Sequence, residues 1–464
     1  MLGDVDGWRS GLAEAGVEIL ADTAASRADL VVTPAARARE AIRYGAPMIV
    51  LEGRLPRSLR DSGLDVEQLL ARPDAAAPAL LLPLAQHRAA AYAVANWSIV
   101  DSRWKLARRS LAYRLVRTGL WPPVGAIVTV CHRDAALPAI IEASRPLGLP
   151  EELEWVLTLG QGDVLSRNVF HLFRRERDEP DWVLKFARVP DYSEPFDRDE
   201  RGLALAAAAG GVAAARAPRL VGRFTWNGIH ASVETAGRGG RLRELLTSPL
   251  PNAEKRRSID ALCTWIVQTG AETAAAPAAL EPERARLLDD VIPHWTRNGA
   301  TSELVDGLPH LAPVLQHNDL GSWNVLVHDG DFTVVDWESA RRHGLPLWDL
   351  FYFLADALAL LDGEVAGATR HLHTIALFRG EAPSSETLFR WTRAGANALA
   401  IAPDAVARLA TLCWLHHSLS HVHRRDSLTQ LTSADESRIH GTELVASAWL
   451  DDPSLAAGWE AWRH

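Results

Sequence analysis

Residues 314–338 read VLQHNDLGSWNVLVHDGDFTVVDWE, and no other stretch narrows the fold as far. An apolar approach leads into His317-Asn318-Asp319, and Asn324 follows that aspartate by five residues. A short apolar run, a DGD turn and a second apolar run then end at Asp336. Folded as a hairpin, the two runs bring Asn324 and Asp336 to the same end. Amide and carboxylate oxygens held together suit a hard divalent cation such as Mg²⁺ better than a thiolate site would. Asp319 beside them is placed to orient and deprotonate a hydroxyl. A reaction that uses such a set is phosphoryl transfer.

Lysine usage adds a second constraint. Of 49 Lys and Arg residues only three are lysines, Lys105, Lys185 and Lys255. Two of them lie in arginine-rich surroundings. Lys185 stands in the apolar run WVLKFAR, where an inward ammonium is costly without a partner. Glu200, on the helix expected to follow, is assigned as that partner, with Glu194, Asp197 and Asp199 as nearby alternatives. So paired, the lysine presents a compact point charge to nucleotide phosphates. The turn Gly160-Gln161-Gly162-Asp163 lets backbone come close to a triphosphate, although it matches neither G-x-G-x-x-G nor a P-loop.

The chain of 464 residues carries a formal net charge of −9, unevenly spread. Its first 150 residues hold a small basic excess and the remainder an acidic one, so a boundary is expected near 146–152. Residues 1–150 read as an α/β domain with strands at 28–33, 47–53 and 125–130 and a basic helix over 101–118 that offers a weak contact to a membrane surface or a protein. Strands are expected at 155–159, 169–175, 182–188 and 229–235. Helices are expected at 198–209, 253–269, 286–297, 346–361, 364–377, 385–397 and 404–422. No apolar run is long enough for a transmembrane helix, the start has no secretory pattern, and three scattered cysteines make no disulfide framework. Those features point to the cytoplasm, and the acidic balance argues against nucleic acid. The oligomeric state is not readable.

H-N-D-x-x-x-x-N followed by V-D-W-E resembles the aminoglycoside phosphotransferase-like family, a branch of the protein-kinase-like fold, over about 151–464. The resemblance implies an α+β two-lobed protein-kinase-like fold with an additional N-terminal α/β domain. It divides the chain into 1–150, an accessory domain, 151–237, an N-lobe with an antiparallel sheet, and 238–464, a mainly helical C-lobe. It implies ATP and Mg²⁺ as cofactors and a small hydroxyl-bearing substrate such as an amino sugar, sugar or amino alcohol. Asp319 looks like the catalytic base, Asn324 and Asp336 like the metal ligands, and Lys185 with Glu200 like the phosphate-positioning pair. Gly160 and Gly162 would line the nucleotide, and Glu234 and Thr235 look like the hinge whose backbone reads adenine. Asp349 resembles the family's later supporting aspartate. The family usually has Gly where Asn318 stands.

Other residues keep two readings. Glu338 meets either a cationic substrate or a local arginine. His416, His417, His421 and His423 form a group with helical spacing, for which a polar helix face or cleft lining is the simpler reading than Zn²⁺. His317 reads as structural. The second class of function is a catalytically inactive kinase-like protein that binds nucleotide or ligand in a scaffold or regulatory role.

Overall fold

The structure is a computed structural model. It describes residues 30–34, 48–54, 65–73, 78–97, 100–121, 125–132, 138–160, 166–365, 369–427 and 433–456. The chain forms two compact units. The first draws on 1–98, 104–193 and 220–236, and the second on 99–103, 194–219 and 237–464.

The first unit is built on a ten-stranded sheet. Its strands are β1 (Leu30–Pro34), β2 (Met48–Glu52), β3 (Asp65–Arg72), β4 (Leu80–Pro83), β5 (Ala126–His132), β6 (Leu153–Thr158), β7 (Asn168–Arg174), β8 (Trp182–Phe186), β9 (Leu220–Trp226) and β10 (Ile229–Thr235). They lie in the order β1-β2-β5-β3-β4-β6-β7-β8-β10-β9. The β1–β2 pair is parallel, and the remaining pairs are antiparallel. The alternation of β6 shows why both faces are covered. Trp155 and Leu157 enter one core with Phe170, Leu172, Leu184 and Val233, while Val156 points the other way, into a core with Phe173 and Leu82. That second core is closed by helix α1 (His87–Asn96), with Ala89, Ala90 and Tyr92, and by Val116 of helix α2 (Arg103–Arg117).

This sheet differs from the expected division near residue 150. Leu80 pairs with Thr158 and Leu81 with Leu157, so strand pairing runs straight through the expected boundary. The physical reason is that an apolar strand edge left open invites pairing, and β4 covers the edge of β6. The shift in charge therefore does not mark a break in the sheet. Three strands were not expected at all: β3 and β9, whose polar residues hide their alternation, and the four-residue β4.

The second unit is mainly helical. Its longer helices are α3 (Glu194–Ala209), α4 (Asn252–Thr273), α5 (Trp348–Leu361), α6 (Arg370–Arg379), α7 (Ser385–Ala398), α8 (Pro403–Ser427) and α9 (Ser433–Asp451). The segment expected as one helix over 286–297 is helical without interruption over 281–295, with a π-helical stretch at Leu287–Val291 between Glu281–Arg286 and Ile292–Trp295. Helix α5, WDLFYFLADALALL, is apolar all round and buried along almost its whole length, as a central core helix must be. Two small sheets complete the unit: β11 (Gly240–Arg241) with β13 (Val325–His328) and β14 (Asp331–Val334), and β12 (Val314–Gln316) with β15 (Arg341–Gly344). No single described helix is long and apolar enough to cross a membrane.

Candidate active site

In the second unit the polar loop between β12 and β13 is fixed from below by helix α5. Asp349 accepts the backbone N–H groups of His317 at 2.7 Å and Asn318 at 2.8 Å. Asp356 accepts the N–H of Ser322 at 2.8 Å and is itself paired with Arg370 at 2.8 Å. The two aspartates are seven residues apart, so they share one helix face and grip the two ends of the same loop. Burial raises the Asp349 carboxyl to about 6, opposed by the two N–H groups that favour its charged form.

Asn318 sits in the left-handed region at φ 65°, a conformation that asparagine and glycine tolerate best. Its side chain is held too. His416 on α8 donates from Nε2 to Asn318 Oδ1 at 3.1 Å, and its Nδ1 lies 3.4 Å from the Arg286 guanidinium. The His416 ring stacks on Trp348 at 5.1 Å. Only neutral imidazole can donate on one side and accept on the other, and burial holds its pKa well below the ordinary histidine value. Arg286 and Arg341 both meet the buried Glu283 at 2.7 Å.

His317 locks the loop to the hairpin. Its Nε2 donates to Val335 O at 3.0 Å, its ring lies edge-on to Trp337 at 4.9 Å, and burial pushes its pKa down to about 4. It is a neutral structural latch.

Asn324 and Asp336 meet through register. Val325 pairs with Val334, and the Val335 N–H donates to Asn324 O at 2.9 Å, so Asp336 is the next residue along. Asn324 Nδ2 donates to Asp319 O at 2.9 Å and to Asp319 Oδ2 at 3.2 Å. Its amide nitrogen is thereby committed to Asp319, which leaves Oδ1 as the donor for a cation. Asp336 is left-handed at φ 66° and heads the Trp337–Ser339 turn.

Two further carboxylates converge there. Ligand oxygens of Asp199, Asp336 and Glu338 lie within 4.8 Å of one another. Asp199 comes from α3, which presses on the Trp337 turn through Gly202: a Cβ there would sit 1.9 Å from Trp337 O. Asp199 and Gly202 are three apart and share that helix face. Asp199 is buried, whereas Glu200 is exposed on α3. Glu338 is 3.9 Å from Arg198.

In the first unit Lys185 Nζ pairs with Glu234 Oε1 at 3.0 Å, Glu234 being buried and the Lys185 side chain 11% exposed. Within its own unit the carboxylate on Lys185 is Glu234, a β10 residue close to the point where the chain leaves the unit. Lys185 faces Ser232 across the β8–β10 pair and Glu234 faces Val183. Lysine and glutamate are therefore diagonal neighbours on one face of the sheet, within reach of long side chains. Thr235 ends β10, opposite Trp182, and the chain leaves the unit after Ala236. Gly160 donates its N–H to Asn168 Oδ1 at 3.0 Å and accepts from Arg188 at 3.3 Å. Gly162 lies outside the described residues.

Sequence reasoning did not foresee the Glu283–Arg286–Arg341 cluster or the role of Asp356. For Asp356 a signal existed: two aspartates seven apart in an otherwise apolar helix. The histidine group resolves into His416 on Asn318, His417 stacked on Tyr352 at 3.9 Å, and His421 hydrogen-bonded to Thr442 at 3.1 Å, which matches a packed helix face instead of a Zn²⁺ site.

Comparison with known proteins gives one family and several structures. Residues 157–386 match the phosphotransferase enzyme family, APH. Among the curated proteins none matches the sequence. A choline/ethanolamine kinase family protein from Mesorhizobium loti is 14% identical, with 70% of this chain and 99% of that one covered and a TM-score of 0.41. An amicoumacin kinase solved with AMP-PNP, Ca²⁺ and its substrate is 12% identical, covering 67% and 93%, at 0.39. An aminoglycoside phosphotransferase from Streptomyces rimosus is 14% identical, covering 67% and 99%, at 0.30. Residues 157–386 of this chain thus carry the phosphotransferase enzyme family's module, the one that the H-N-D-x-x-x-x-N motif resembles.

Proposed function

We propose that this protein transfers the γ-phosphoryl group of ATP to a hydroxyl of a small molecule, with Mg²⁺ as the required ion. The observation that carries the reading is the Asn324 amide. Its nitrogen is hydrogen-bonded to Asp319, and the Asn324 backbone carbonyl takes the N–H of Val335, the residue before Asp336, so one residue links the proposed base to the strand end that carries a proposed metal ligand. The donor set is all oxygen, which fits a hard cation. Asn324 and Asp336 would hold the ion, with Asp199 and Glu338 close enough to complete or orient its shell. When bound, Mg²⁺ neutralises charge on the phosphate oxygens.

The chain's own residues do the rest. Asp319 accepts the proton of the acceptor hydroxyl and aims its oxygen. Asp349, Asp356 and His317 keep the loop that carries Asp319 from shifting. Lys185, oriented by Glu234, is assigned to the phosphates as a point charge. An amino sugar, sugar or amino alcohol is the substrate class, and the acidic balance of residues 151–464 suits a cationic member of it through steering.

The test is an ATP-consumption screen over those three classes, run with nucleotide titration in the presence and absence of Mg²⁺. Saturable, Mg²⁺-dependent ATP binding with turnover of one class is expected. ATP binding without turnover would favour the inactive kinase-like reading, and no saturable binding would end the enzyme reading.

A further inference from the structure

Helix α2 plays no part in the chemistry proposed above. Its sequence, RWKLARRSLAYRLVR, carries six cations and no acid, in a chain of net charge −9. One side of it packs on the first unit: Val116 is buried, with Ala112 and Tyr113 against the same core. Arg117 lies toward that side, clasped by Asp178 at 2.6 and 2.9 Å.

The opposite side is exposed and apolar. Trp104 is 75% exposed and Leu111 58%, and seven residues apart they fall on one stripe. Leu120, just beyond the helix, is 60% exposed. Lys105, Arg108 and Arg114 are exposed on and beside this stripe. An indole and aliphatic side chains in line, bordered by long cationic side chains, match what lies at the boundary between lipid headgroups and acyl chains. Aliphatic stems follow the apolar surface while their charged ends meet headgroup phosphates.

We propose that α2 docks this protein on an anionic lipid surface, with Trp104, Leu111 and Leu120 inserted and the cations on the headgroups. Charge selects this occupant. A second copy placed face to face would set Lys105, Arg108 and Arg114 against their own like charges.

Co-sedimentation of the full chain tests this with phosphatidylcholine vesicles, with and without phosphatidylglycerol. Binding to the anionic vesicles only is expected, and it weakens as salt is raised. Trp104→Ser with Leu111→Ser, and separately Arg108→Glu with Arg114→Glu, should each weaken it by about tenfold or more. Both double variants should keep their melting temperature and their activity in solution, since these side chains are exposed and outside the site. Absence of binding to anionic vesicles at low salt overturns the proposal, as does equal binding by the variants. If vesicle binding is absent and size-exclusion chromatography shows an oligomer that the serine variant dissociates, the face belongs to a second copy.

Discussion

The two units hold the charges proposed for function by different means. Lys185 is placed by sheet register: β8 and β10 run side by side, and Glu234 falls diagonally opposite on the same face. Asp319 is placed by a loop with left-handed Asn318, gripped at its two ends by Asp349 and Asp356. Register is set by many strand contacts at once, so a single side chain can change without moving the backbone. A loop held by a few hydrogen bonds is accurate only while each of them lasts. Loss of Glu234 should therefore appear in stability, and loss of Asp319 in rate.

The sharpest break is Asp319→Ala. Loss of the proposed base should lower kcat by about 10²–10⁴-fold, with ATP binding largely kept, measured by single-turnover phosphate transfer and nucleotide titration. Retained turnover would remove Asp319 from the role. On the sheet side, Glu234→Ala removes the buried carboxylate that pairs with Lys185 at 3.0 Å. A loss of about 3–5 kcal/mol is expected for breaking a buried pair, read by urea unfolding. A cost near zero would mean that register alone does not create the pair's importance.

Gly202→Ala strikes the contact between α3 and the Trp337 turn, where the new Cβ would lie 1.9 Å from Trp337 O. Overpacking of about 1–3 kcal/mol is expected, with a weaker apparent affinity for Mg²⁺ because Asp199 shifts with the helix. A variant with unchanged Mg²⁺ dependence would separate Asp199 from the metal site.

Acid should affect the second unit through its buried histidines. His317 is held near 4 and His417 near 3, and His416 is lower than usual by the same cause, burial. A depressed folded pKa gives stability that is complete above the unfolded value of about 6.5 and is lost as pH falls toward the folded one. Each such histidine adds a slope of up to about 1.4 kcal/mol per pH unit. Asp349, raised to about 6, works in the other direction, because its carboxyl is better tolerated protonated. Melting curves from pH 7 to 5 should show falling stability, with a smaller slope in His417→Phe. A flat profile would contradict the neutral, buried state of these rings.

The smallest effect concerns Asn318. In a double-mutant cycle of His416→Phe and Asn318→Gly, a coupling of about 1 kcal/mol in kcat/KM is expected, the worth of one hydrogen bond. Additive effects would show that His416 does not act through Asn318.

What was legible follows the range of the interaction. The hairpin between Asn324 and Asp336 was readable because it joins neighbours in sequence, and so was the apolar strand that holds Lys185. Its partner was not readable: Glu234 meets it only once the pairing of β8 with β10 is known. The N-terminal strands were expected apart from the kinase-like sheet because charge, not pairing, was the available signal. Strand β3 begins Asp65-Val66-Glu67-Gln68, and the half-buried Glu67, raised to about 7 by desolvation, sits where an apolar residue would have announced a strand.

Helix α5 has a mechanical corollary. Because Asp349 and Asp356 hang from one rigid rod, the loop above them cannot pivot at one end alone. Any roll of the rod carries both handles through the same arc and sweeps Asp319 sideways as a block. Mutations far along that rod, with no contact to the loop, therefore have a lever on where the proposed base points.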